Sequence, residues 1–298
     1  MGGPVYFSRE QMSSTQTFHP LSKNVVAFTV HKAGSMVLHR VLREICELNQ
    51  INYYSPNKGA AALPIDRMLA GTQDFIAERN GCFGPMRFLI SSKGLPEARI
   101  ILHLRDPRDV LTSMFFSYCF MHPGEVPANT GYRREVADAG IDQFVLDMVT
   151  DKFWSYEGHY GTGLPFKKFV GNIYDRYVRY LAEVVSQPNA ILVSYEEMVL
   201  SFPSWLRKIL SAFQLPAAEE SFRAVADRYA RTVEPDEEDV WSHKRRVTPG
   251  DYKIKLRPET IRELNEKFEG VLDALGYSSA EYEERGIPAP SRRAACDS

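Results

Sequence analysis

The sequence predicts an α/β protein, a central parallel sheet flanked by helices on both faces and gathered in one domain. Two apolar runs, residues 24–30 and Arg99 to Leu104, are continuous rather than alternating, as in strands buried on both faces. Each leads directly into a helical pattern, and a third short run, Asn189 to Ser194, does the same. With 298 residues, 44% of them hydrophobic, the chain can fill one large core.

In chain order, residues 1–23 are polar and aperiodic and read as an N-terminal arm. The first strand is followed by a helix over 36–49, with Val37, Leu38, Val41, Leu42, Ile45 and Leu48 on one face. From Ile51 to Pro96 the pattern is mixed, with a short helix near 64–79. After the second strand, Asp106 suits a helix cap and Pro107 a first helical turn, and the helix runs to about Cys119. Met121 to Gly140 is turn-rich and reads as a loop insertion. Helices are expected at 141–153 and 171–187, then beyond the third strand at 195–199, 203–213, 216–231 and 258–275. Pro258 and Glu259 open the last of these and Gly276 stops it. The expected domain spans 24–280, with 281–298 a flexible tail.

Lys and Arg number 36 against 38 Asp and Glu, a balance that calls for neither nucleic acid nor an anionic membrane as partner. Cys46, Cys82, Cys119 and Cys296 are scattered, as reduced thiols are, and make no zinc pattern. No signal peptide or membrane-spanning run is evident. A cytoplasmic protein, monomer or homodimer, is the expectation.

Four segments carry chemistry. The first strand breaks into His31-Lys32-Ala33-Gly34-Ser35-Met36 and a helix starts at once, so backbone N–H groups and the positive helix end face outward. A solvated surface turn and an anion site are both open on these residues alone. A Walker A loop would need GxxxxGK[ST]; here lysine precedes the glycine and no aspartate in a Walker B position ends a strand. Second, Arg105 stands at the end of a buried strand, where open α/β sheets bind ligands, with Ser113 two turns into the next helix. Its planar fork suits a phosphate, although an Arg105–Asp109 helix-start salt bridge would explain it as well. Third, Lys244-Arg245-Arg246 followed by Pro249-Gly250 forms a basic loop able to close over an anion. Fourth, Tyr195-Glu196-Glu197 follows the third strand.

Together these segments resemble the sulfotransferases that use 3′-phosphoadenosine 5′-phosphosulfate (PAPS). HKAGSMV stands where that family has a loop like PKSGTTW, and RDPRDVLTS resembles its 3′-phosphate element, an arginine with a serine eight residues on. Arg245 to Lys253 resembles its RKGxxGDWK loop, and Tyr195-Glu196-Glu197 its Tyr-Glu-Asp. The resemblance implies a P-loop-NTPase-like sulfotransferase fold. It implies that Lys32 touches the 5′-phosphate and the sulfuryl group, with Ala33, Gly34, Ser35 and Met36 lining the loop and the last three giving N–H groups. It places Arg105, Ser113, Arg245 and Arg246 on the 3′-phosphate and Tyr195 near the adenine. Met36, Val247 and Tyr252 depart from the family's threonine, glycine and tryptophan.

Many relatives in that family carry a histidine as general base before the second core strand, and Ser91 to Pro96 holds none. His122 is the closest substitute; His39, Glu44 and Asp66 are further candidates. The implied reaction is in-line attack by an acceptor hydroxyl or amine on PAPS, expelling adenosine 3′,5′-bisphosphate (PAP), with cations rather than a metal stabilising the transition state. A P-loop small-molecule kinase and a non-catalytic nucleotide-binding protein are the alternatives. Residues 51–90 and 119–165, with Tyr53, Tyr54, Phe83, Arg87, Phe120, Tyr132, Trp154, Tyr156, His159 and Tyr160, are expected to wall a pocket for a small or medium organic acceptor.

Overall fold

The computed structural model describes residues 21–57, 59–121, 130–153, 170–216, 218–229 and 247–278. The first apolar run forms β1 (Val25–Thr29), every residue of it buried. It is joined by β2 (Tyr53–Ser55), β3 (Ala61–Ala62), β4 (Cys82–Met86), β5 (Arg99–Leu104) and β6 (Ala190–Ser194). These form one six-stranded sheet in the order β3-β2-β4-β1-β5-β6, parallel throughout. Side chains alternate across it. Val26, Phe28, Ile100 and Leu102 enter one core layer, while Val25, Ala27, Ile101 and Val193 enter the other.

One layer is closed by α1 (Ser35–Leu48), α8 (Phe202–Phe213) and α9 (Ala218–Tyr229). Leu38, Val41, Leu42 and Ile45 of α1 are buried as their spacing predicts, and Leu48, at the helix end, is exposed. The other layer is closed by α4 (Pro107–Phe116), α5 (Thr130–Asp147), α6 (Ile173–Tyr180) and α11 (Pro258–Leu275). Short helices α2 (Ile65–Leu69), α3 (Phe75–Glu78), α7 (Tyr195–Leu200) and α10 (Tyr252–Lys255) are also described, with π-helical turns at Ser117–Met121 and Leu181–Val185. Among the described residues no helix is long and apolar enough to cross a membrane.

The segment from Ile51 to Pro96 differs from its mixed reading, because it supplies three strands. The end of the expected loop insertion is also different: residues 130–140 are helical, and the chain breaks at Gly140 (φ 76°, ψ 164°) before continuing as helix. Topology fixes the place of the site. The chain leaves β1 toward β2 on one flank and later returns to β5 on the other, so the crevice opens at the C-terminal end of β1.

Candidate functional site

The loop from β1 to α1 runs from a strand end straight into a helix N-terminus, as its sequence reads. Gly34 caps α1 in the left-handed region (φ 76°), with no side-chain cap, and the first turn holds no acidic residue to neutralise the helix end. The N–H groups of Val37 and Leu38 both turn back to Gly34 O, at 2.9 and 3.1 Å. A Cβ on Gly34 would lie 2.7 Å from Met198 Cε, the flexible end of its side chain, and 3.2 Å from Tyr195 Cδ2, so φ more than space calls for glycine. Lys32 itself has φ 60°, an uncommon value for a residue with a Cβ. Ala33 and Ser35 are buried, and Met36 is exposed.

Arg105 leaves the end of β5 and holds that loop. Its Nη1 donates to Lys32 O at 2.9 Å, its Nη2 lies 3.3 Å from Asp109 Oδ2, and its guanidinium stacks 4.1 Å above the Tyr195 ring. The salt bridge weighed as an alternative therefore exists alongside the loop contact. Burial opposes the Arg105 charge, but Asp109, Tyr195, Glu196 and Asp251 outweigh it and push the pKa up. Arg105 Nε is buried and has no hydrogen-bond partner among the described residues. Ser113 sits half-buried on α4, two turns beyond.

Asp109 joins this arginine to the C-terminal loop. Its Oδ2 accepts from Gly250 N at 2.6 Å and its Oδ1 from Tyr252 N at 3.0 Å. Burial raises its pKa, against the pull of Arg105 and the two N–H groups. The family-like tryptophan position, Tyr252, is buried under the Arg108 guanidinium at 4.2 Å. Arg108 in turn pairs with the cap residue Asp106 at 2.7 Å. Behind Tyr195, Glu196 accepts from Asp106 N at 3.1 Å and from Tyr277 Oη at 2.9 Å, and burial pushes its pKa up to about 7.

On the other flank of β1, Arg87 follows β4 and reaches Ser35 Oγ at 3.5 Å. The helix α6 crosses the strand ends; Tyr177 Oη donates to Arg105 O at 2.5 Å and Tyr180 Oη to Thr29 O at 2.8 Å. An Asn172–Asp175 capping box starts α6. One turn in, Arg176 donates from Nε to Gly171 O at 3.2 Å and places Nη1 2.9 Å from His31 Nδ1.

The structure thus brings together Lys32, Ala33, Gly34, Ser35, Met36, Arg105 and Tyr195, with Ser113 on the helix that follows Arg105. His122, Arg245 and Arg246 lie outside the described residues. Of the other candidate bases, His39 is buried, with Nδ1 2.8 Å from Tyr53 Oη and 3.3 Å from Ser55 Oγ, a core role. Glu44 is held by Tyr229 Oη and Arg228, both at 2.9 Å, and Asp66 is exposed on α2. Tyr53, Tyr54 and Phe83 are core residues: Tyr54 stacks on Phe83, and Tyr53 bonds to His39 and to Gly84 O. Of Tyr53, Tyr54, Phe83 and Arg87, Arg87 is the one that reaches the loop. Sequence reasoning passed over His31, Arg176 and the loop-anchoring role of Asp109. The four-residue step from Arg105 to Asp109 signalled a pair, whereas the His31–Arg176 contact has no local signal.

A parallel α/β sheet whose first strand runs through a glycine turn into a helix, with an arginine at the neighbouring strand end, has a P-loop-like fold. A family model described as the sulfotransferase domain matches residues 85–276, and the chain belongs to that family, whose members transfer sulfuryl groups. The match takes in Arg105, Ser113, Tyr195 and the 245–253 loop, and begins after Lys32. Among solved structures, mouse sulfotransferase SULT7A1 complexed with PAP is similar, at 15% identity over 91% of this chain and 92% of that one, with a TM-score of 0.57. Retinol dehydratase in complex with androsterone and inactive cofactor PAP aligns over 84% of this chain and 80% of that one, at 11% identity and a TM-score of 0.48. No curated protein matches the sequence. Neither the family match nor the geometry supports the kinase alternative.

Proposed function

We propose that this chain transfers a sulfuryl group from PAPS to a hydroxyl or amine of a small or medium organic acceptor, by in-line displacement without a metal. The observation that carries this reading is Arg105. It is a buried guanidinium at a strand end, tied to the Lys32 carbonyl, with Nε still lacking a partner among the described residues. A phosphate oxygen at that point would complete its bonding, which is the fit a 3′-phosphonucleotide requires.

PAPS supplies an activated sulfuryl group on a phosphate leaving group. Lys32 would meet the charge that grows on the oxygen between them, aided by the backbone N–H groups of Gly34, Ser35 and Met36 and by the helix dipole behind them. Arg105 and Ser113 would take the 3′-phosphate, and Tyr195 would sit near the adenine. Arg245 and Arg246 would join them from a loop whose far end Asp109 anchors at Gly250. His122 is proposed as the base that removes the acceptor's proton. The buried free thiols of Cys46, Cys82 and Cys119 suit the reducing cytoplasm, where we place the protein.

The test is transfer from radiolabelled PAPS by Lys32→Ala. Loss of one preorganised charge donor lowers turnover about 100-fold or more, with circular dichroism and melting unchanged. Equal turnover in variant and wild type would overturn the assignment.

A further inference from the structure

The histidine before Lys32 has one ring nitrogen fixed and the other left over. Arg176 Nη1 lies 2.9 Å from His31 Nδ1. A guanidinium can only donate, so Nδ1 is the acceptor and the ring proton sits on Nε2. The same bond excludes the doubly protonated ring, in which Nδ1 would carry a hydrogen of its own. Burial agrees, holding the His31 pKa well below its ordinary value with help from Arg87, Arg176 and Lys32.

Arg176 is itself held in place. Its Nε donates to Gly171 O at 3.2 Å, and its guanidinium lies 5.2 Å from the centre of the Phe153 ring. The helix that carries it, α6, is pinned to both central strand ends, by Tyr180 Oη on Thr29 O and Tyr177 Oη on Arg105 O. The imidazole is therefore oriented by the framework, with its Nε2–H directed away from Arg176. Among the described residues that Nε2 has no hydrogen-bond partner, and it is not sealed in the interior as both ring nitrogens of His103 are. His31 and Arg105 each stand two residues past the last paired position of their strands, Thr29 with His103. Arg105 turns to Asp109 and Tyr195 and His31 turns to α6, so the two residues bound the Lys32 loop on different sides.

Lys32 and the helix-end N–H groups meet the charge on the bridging oxygen and the phosphate. The outer oxygens of the sulfuryl group, which turn toward the acceptor, need a donor of their own. We infer that His31 is a catalytic residue whose neutral Nε2–H donates to a sulfuryl oxygen of PAPS during transfer, and that Arg176 is the positioning residue that keeps the proton on Nε2. This rests on the sulfotransferase reading and deepens it. In the step, the acceptor oxygen or nitrogen forms its bond to sulfur. The bond from sulfur to the PAP phosphate breaks, its electron pair goes to the phosphate, and the acceptor's proton goes to the base. His31 neither gains nor loses a proton, so it is not the base. A fixed dipole of this kind stabilises the transferring group without reorganising as the reaction proceeds.

The experiment is long-range proton–nitrogen NMR of the full chain with nitrogen-15-labelled histidine, the His31 ring being assigned by its loss in His31→Gln. The expected spectrum has Nε2 protonated and Nδ1 bare, unchanged between about pH 6 and about pH 8, where an ordinary histidine titrates. PAPS added without acceptor shifts the Nε2 signal and PAP does not, because the two differ in the sulfuryl group. In turnover, His31→Ala lowers kcat about 100-fold or more with PAP affinity unchanged in calorimetry. His31→Gln, whose amide N–H can still donate, recovers at least about tenfold of that loss, and its pH profile keeps the wild-type shape. Arg176→Met releases the ring proton to either nitrogen and lowers kcat, whereas Arg176→Lys, still a donor to Nδ1, keeps it on Nε2. A proton on Nδ1 in the wild type, a ring that titrates in that range, or an Nε2 signal that answers PAP as strongly as PAPS overturns the inference. So does wild-type turnover in His31→Ala, or a His31→Gln no faster than His31→Ala. In each of those cases PAP binding leaves the sulfotransferase reading standing, and failure to bind PAP overturns that reading itself.

Discussion

Asp109→Asn separates a loop anchor from a bystander. Among the described residues, three donors and no acceptor bond to the two Asp109 oxygens: Gly250 N at 2.6 Å, Tyr252 N at 3.0 Å and Arg105 Nη2 at 3.3 Å. That is the company of an ionised carboxylate. An amide keeps one acceptor oxygen and turns an NH₂ toward a donor, so at least one backbone N–H loses its partner. It also leaves the buried Arg105 without its nearest counter-charge. Breaking one side of a buried pair costs about 3–5 kcal/mol, and here a charge-assisted N–H bond is lost with it. We expect urea denaturation to show a loss in that range. PAP affinity should fall about tenfold or more, because the loop that carries Arg245 and Arg246 is no longer held at its far end. A stability change below about 0.5 kcal/mol together with unchanged PAP affinity would refute the anchoring argument.

Gly34→Ala should cost about 1–2 kcal/mol from its left-handed backbone, with Met198 Cε displaced, and should weaken PAP binding in the same titration. Glu196 titrates in the folded state at about 7, above its ordinary 4.5, so its contribution is complete at low pH and is lost as pH rises through 7. That loss amounts to about 3 kcal/mol. The stability difference between wild type and Glu196→Gln, measured by denaturation at a series of pH values, should shift against wild type by that amount between about pH 4 and about pH 8. A flat difference would show that Glu196 is not held protonated.

The parts of this fold that were legible are those whose residues obey one local rule. β1, β5 and β6 are apolar runs at the sheet centre and along one side, and α1, α8, α9 and α11 carry clear helical periods. β4 was not legible, since it reads Cys-Phe-Gly-Pro-Met, and glycine and proline are strand breakers in isolation. Its Gly84 adopts φ 115° and leaves no room for a Cβ against Ala27 O, a demand that only the neighbouring strand makes visible. β2 and β3 are too short to show a period. The helix over 130–140 was hidden by Gly140, which does break it, though at its end rather than along its length.

The same division runs through the site. Lys32, Gly34, Arg105 and Tyr195, the residues proposed for the site, sit at strand ends or turns, where residue type and position single them out. Asp109 and Gly250 are 141 positions apart, and His31 and Arg176 are 145 apart. Contacts of that span are made by sheet topology and leave no mark on local sequence. His31 is the instructive case. In sequence it is one more histidine beside a lysine, and only the Arg176 contact decides which of its nitrogens carries the proton.

The central claim is that the β1 loop and Arg105 together hold a nucleotide with phosphate at both its 3′ and 5′ positions. Calorimetric titration with PAP, adenosine 5′-monophosphate and ATP, each with and without magnesium, tests it directly. The account predicts tight PAP binding that magnesium does not change, with the monophosphate weaker by about a hundredfold for want of the 3′-phosphate contacts. Equal affinity for PAP and the monophosphate, or tighter binding of magnesium–ATP, would contradict it.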